Sequence, residues 1–174
     1  SFGLTAVDPP STSAASGVAR TEYRVDAGSA TPFELFVSTF PLAEGIRLAE
    51  FRSEDNVGNL ELTRSATVLI DETPPTVSYR IAGSSFTDIL GRLAISTSAL
   101  VVLEAQDPVS SGVASGVDGL RSRLNGAENQ SVAGSSTAFS LSEGSYTVSF
   151  SALDNVGNSG SLITFSVLVD TTGP

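Results

Sequence analysis

Apolar and polar residues alternate with a period of two through most of this chain. Between 145 and 153, Tyr146, Val148, Phe150 and Ala152 alternate with Thr147, Ser149, Ser151 and Leu153, so one face is apolar and the other mostly hydroxylated. Successive side chains of a strand leave opposite faces of the pleat, and this is the pattern of a half-buried strand. Similar runs, bounded by Gly, Ser, Asn and Pro, predict strands at 76–81, 99–105, 120–124, 137–141, 145–153 and 162–169, with another inside 86–96. No helix is predicted.

The pattern repeats. Sliding the sequence along itself by 99 residues aligns 25 of 75 positions identically with no gap. Asp8-Pro9 falls on Asp107-Pro108, Ser16-Gly17-Val18 on Ser115-Gly116-Val117, and Glu44-Gly45 on Glu143-Gly144. Asp55-Asn56-Val57-Gly58-Asn59 recurs whole as Asp154-Asn155-Val156-Gly157-Asn158. Residues 76–99 have no counterpart before Ser1, so the first copy reads as lacking its opening strand, and the chain reads as a slice of a longer tandem array. Six or seven short strands in each copy fit a two-sheet sandwich of immunoglobulin type. The expected fold is therefore all-β: tandem immunoglobulin-like β-sandwiches without a disulfide, with domains at 1–75 and 76–174. Thr73-Pro74-Pro75 fixes φ at two successive residues and predicts a short, semi-rigid joint.

Composition removes most chemistry. The 174 residues include no Cys, His, Lys, Met or Trp, and all nine bases are Arg. Thiolate and imidazole ligands, His-dependent triads, Schiff bases and Lys cross-links are excluded, and only oxygen ligands remain. A formal charge of −10 with scattered arginines argues against nucleic acid. The longest apolar run, 99–103, is far short of the roughly 20 residues of a membrane helix, so no membrane insertion is expected. No base stands ready to activate the many serines. Nearly every acid shared by the two copies falls at a predicted turn or linker, so the chain is expected to be no enzyme.

The D-N-V-G-N segment is explained by turn formation alone, since Asp and Asn bond their own backbone and Gly admits positive φ. A sharper reading is Ca2+, which takes six to eight oxygen ligands from carboxylates, amides and carbonyls. Sandwich topology would bring Asp71, Asp107, Asp154 and Asn158 together at one end of the second copy, with Asp8, Asp55 and Asn59 as the set in the first. Phe33-Glu34-Leu35-Phe36-Val37 aligns with the much smaller Val132-Ala133-Gly134-Ser135-Ser136, and is expected either to thicken the first core or to form an exposed patch. Asn129-Gln130-Ser131 matches an N-glycosylation sequon, which a solvated loop explains equally well.

Taken together, Ala105, Asp107, Ser115-Gly116-Val117, Glu143-Gly144, Val148, Phe150, Ala152, Asp154 to Asn158 and the closing D-x-T-x-P resemble the Ig-like repeats of bacterial extracellular proteins. The resemblance covers nearly the whole chain. Val148 and Ala152 are replaced by Ala49 and Ser53 in the first copy, a departure that touches only local packing. It implies an extracellular or cell-surface setting and a non-catalytic structural or spacer role, in a stalk or filament whose partners are neighbouring repeats. Self-association is expected as well, if another subunit completes the open edge of the first domain by strand addition. The alternatives are a carbohydrate-binding or adhesive module, or an accessory domain of a secreted polysaccharide-degrading enzyme. A binding module of that kind needs an aromatic platform, for which the sequence offers only Tyr23, Tyr79 and Tyr146.

Overall fold

The computed structural model describes residues 1–10, 14–28, 30–127 and 130–171, so Asn129 of the sequon and the closing Thr172, Gly173 and Pro174 lie outside the described residues. The chain is all-β and divides into two compact units. One comprises Ser1–Asp71 with Ser110–Val113, and the other Glu72–Val109 with Ala114–Pro174.

The first unit holds β1 (Val18–Val25), β2 (Glu34–Leu35), β3 (Gly45–Asp55) and β4 (Arg64–Ile70) in one antiparallel sheet ordered β2-β1-β3-β4. One face carries Ala49, Phe51 and Tyr23. The Tyr23 ring stacks on Phe40 at 4.4 Å, and Phe36 and Phe2 meet that pair edge-on. The other face is a lattice of charges in which Arg24 pairs with Glu50 at 2.8 Å and Arg52 with Glu22 at 3.0 Å. Both guanidinium groups lie over the Phe33 ring, at 4.6 and 4.2 Å from its centre. The apolar segment 33–37 is thus divided: Phe36 joins the aromatic cluster, Phe33 supports the arginines, and Leu35 and Val37 are exposed.

The second unit contains β5 (Thr76–Ala82), β6 (Ser85–Thr87), β7 (Leu93–Ile95), β8 (Leu100–Gln106), β9 (Val117–Leu124), β10 (Gln130–Ala133), β11 (Ser136–Phe139), β12 (Gly144–Asp154) and β13 (Ile163–Val169). A six-stranded sheet, β10-β9-β12-β13-β7-β6, faces a three-stranded sheet, β11-β8-β5. Between them lies the core of Val101, Leu103, Leu120, Val148, Phe150, Ala152, Val167 and Val169, all buried. Each large aliphatic or aromatic group there stabilises the fold by roughly 1.5–3 kcal/mol. The alternation read along 145–153 is realised, since Val148, Phe150 and Ala152 are buried while Ser149 and Ser151 stay partly exposed. The single strand expected inside 86–96 is instead a hairpin, β6 and β7. Its turn is closed by the Asp88 carboxylate, which accepts from the N–H groups of Leu90 at 2.9 Å and Arg92 at 2.8 Å. β7 then pairs in parallel with β13.

The 99-residue spacing reappears in the strand boundaries: β1, β3 and β4 begin and end 99 residues before β9, β12 and β13. Both units also break register at the equivalent place, between Val18 and Arg20 and between Leu153 and Asp154.

Candidate functional site

Two of the candidate acids, Asp55 and Asp154, are the last residues of β3 and β12. Asp154 is the only buried charged residue among the described residues, 2% exposed. Its Oδ1 accepts from the N–H of Val156 at 3.0 Å and of Asn158 at 2.7 Å, and its Oδ2 accepts from the Asn158 side-chain amide at 2.7 Å. Burial raises the Asp154 pKa more than any other single influence. Asn158, through side chain and backbone, together with the amides of Val156 and Gly157, outweighs it and holds the carboxyl below its ordinary range. Asp55 repeats the arrangement with Val57 N–H at 3.0 Å, Asn59 N–H at 2.8 Å and the Asn59 side chain at 2.7 Å. Its pKa is lowered chiefly by the Asn59 backbone amide.

A second acid in each unit holds the loop that precedes β1 or β9. Asp8 Oδ2 accepts from Gly17 N–H at 2.8 Å, and Asp107 Oδ2 from Gly116 N–H at 2.6 Å. These glycines have φ of +83° and +84°, and a Cβ on either would lie 3.2 Å from the amide nitrogen of Asn56 or Asn155. Those asparagines clip the two loops together, donating to the carbonyls of Ser16 and Ser115 at 2.8 Å. Asn56 and Asn155, which the sequence places in the repeated D-N-V-G-N turn, thus bond beyond their own turn to the loop before β1 or β9, a role that turn formation alone does not predict.

In the second unit the topology brings Asp107 and Asp154 together, each offering a carboxylate oxygen within 4.8 Å of the other's. Asp107 Oδ1 is buried and makes no hydrogen bond among the described residues. Asn158 is engaged with Asp154. Asp71, the remaining acid of the expected set, is the last residue of the first unit. In the first unit, Asp8, Asp55 and Asn59 line one open cavity with Glu54 and Glu61. An all-oxygen donor set suits a hard cation such as Ca2+, but most of these oxygens already accept bonds from their own loops.

Compared with models of known protein families and with curated proteins, the chain matches none.

Proposed function

We propose that this chain is a length of a non-catalytic structural spacer, built from tandem immunoglobulin-like sandwiches in a bacterial extracellular or cell-surface protein, with neighbouring repeats as its partners. One observation carries the reading. Among the acids shared by the two repeats, Asp8 and Asp107, Asp55 and Asp154 are each bonded to the amides of their own loops. Carboxylates held in this way shape turns rather than present themselves to a substrate. The adhesive or carbohydrate-binding alternative requires an exposed aromatic face. Tyr79 is half-exposed, but its ring lies flat on Phe165 at 3.8 Å, and Tyr146 packs against the core. The decisive experiment is a glycan array, together with a polysaccharide hydrolysis assay on the purified chain. No binding and no turnover are expected, and micromolar affinity for any glycan would replace the spacer by the adhesive reading.

A Ca2+ ion bound by Asp107 and Asp154 is a second reading, favoured by the buried Asp107 Oδ1 that has no hydrogen-bond partner. Asn158 and the linker acid Asp71 are the further ligands the sequence nominates. A cation there would offset the repulsion between two neighbouring carboxylates.

A further inference from the structure

We infer that Asn125-Gly126, in the turn that ends β9, is a site of spontaneous covalent modification, where the folded chain converts its own asparagine into a carboxylate. The Gly126 nitrogen attacks Asn125 Cγ, a new C–N bond closes a succinimide ring, and the Cγ–Nδ2 bond breaks. The side-chain nitrogen leaves as ammonia, taking up the proton that Gly126 loses. Water from the solvent then opens the ring. Cleavage of the new bond leaves aspartate, and cleavage of the original peptide bond leaves isoaspartate, whose main chain runs through the side-chain carbon. Nothing is oxidised or reduced.

Each group the reaction needs is free or already placed. Asn125 and Gly126 are exposed, with φ of +50° and +76°, the positive pair that a tight Asn-Gly turn requires, and Ala127 N–H closes the turn on the Leu124 carbonyl at 3.0 Å. The Gly126 N–H makes no hydrogen bond among the described residues, so the attacking nitrogen is not tied to the sheet. A Cβ built on Gly126 would meet nothing within 4 Å, which leaves room for the ring. The Thr147 N–H donates to Asn125 Oδ1 at 2.8 Å, and this is the oxygen that takes up charge during the attack.

The other described asparagines lack this combination. Asn56, Asn59, Asn155 and Asn158 precede Val, Leu, Val and Ser, whose side chains crowd the attacking nitrogen. Their leaving amides are also held, those of Asn56 and Asn155 by the carbonyls of Ser16 and Ser115 at 2.8 Å, and those of Asn59 and Asn158 by Asp55 and Asp154 at 2.7 Å.

The first copy shows that the aspartate product fits. Asp26 stands at the equivalent position with φ of +49°, and its Oδ1 accepts from Leu48 N–H at 2.8 Å as Asn125 Oδ1 accepts from Thr147. Isoaspartate does not fit in the same way. An extra main-chain atom disrupts the bond from Asn125 N–H to the Thr147 carbonyl, 2.8 Å long, beside Leu124, which packs on the core. Conversion therefore gives the second copy the negative charge that the first carries at Asp26, and the isoaspartate fraction loosens the end of β9.

The test is to hold the purified full chain in warm, mildly alkaline buffer, folded or unfolded in urea, and to map the products by peptide mass spectrometry. In the folded chain, conversion at Asn125 is expected to outrun that at each of the four bonded asparagines by about tenfold or more. Asn125→Asp should leave the melting temperature of the second unit unchanged, and the isoaspartate form, separated by ion exchange, should melt lower. Conversion at Asn125 in urea but not in the folded chain, equal rates at all five asparagines, a second unit unfolded by Asn125→Asp, or isoaspartate that melts like the parent would overturn the inference.

Discussion

The carboxylate of Asp154 accepts twice from Asn158, once from its backbone N–H and once from its side-chain amide, each at 2.7 Å. This grip closes the loop between β12 and β13 from inside the protein. Replacing Asp154 by Ala leaves the partly buried amides of Val156 and Asn158 without their acceptor. The expected loss for the second unit is about 3 kcal/mol by urea unfolding. Asn158→Ala removes only the side-chain donor and should cost less, about 1 kcal/mol.

Acid should unfold both units through the same turns. Asp55 and Asp154, and with them Asp26 and Asp88, have folded-state pKa values below the ordinary one. Their stabilisation is fully present above the unfolded-state pKa of about 3.9 and disappears as pH falls through the lower folded values. Melting temperature should therefore be level from neutral pH to about 5, then fall steeply below about 4. Asp154→Asn should flatten the acid limb of the second unit. An unchanged limb would contradict the assignment.

Gly160 permits an approach that no other residue allows, because the Pro75 carbonyl occupies the space of its Cβ. Gly160→Ala should destabilise the second unit by about 3 kcal/mol through forced displacement of backbone. The equivalent exchange in the first unit, Glu61→Ala, should stay within about 1 kcal/mol. Comparison of the two variants by chemical denaturation distinguishes a steric cause from a propensity effect.

Calcium should add to a fold that already stands without it. The turn acids have amide donors of their own, so EDTA should leave both units folded. Millimolar Ca2+ should raise the melting temperature of the second unit, and Asp107→Asn should abolish the rise. Equal melting curves in EDTA and in Ca2+ would remove the cation and leave the turns unaffected.

Phe33 meets the charged face of the first unit's sheet, and the guanidinium groups of Arg24 and Arg52 both lie over its ring. Phe33→Ala should cost the first unit about 1–2 kcal/mol. High salt should shrink the penalty only slightly, since the attraction acts at contact distance. A loss that vanished in salt would point to the Arg24–Glu50 and Arg52–Glu22 pairs instead.

Local chemistry explains how much was legible in advance. The alternation of Tyr146, Val148, Phe150 and Ala152 is a property of neighbouring residues, and it specified a strand whose buried face is the one observed. The D-N-V-G-N turns were legible because Asp and Asn bond within two to four residues of themselves. The hairpin at 85–95 was less so: its strands are three residues each, too short for period two to register, and its turn depends on Asp88.

Other features depend on residues far apart in the chain, and only the tertiary structure decided them. Pairing of β7 with β13 joins segments some seventy residues apart in a parallel register that no local pattern encodes. The exclusion of side chains at Gly160 depends on where Pro75 passes, and the split roles of Phe33 and Phe36 depend on which face of β1 each meets. The sequence by itself determined the strands, the turns and their repetition, because those follow from side-chain alternation and short-range hydrogen bonds. Whether an edge is covered or a ring is buried was settled by long-range packing, where burial and pairing depend on segments that meet only in the folded chain.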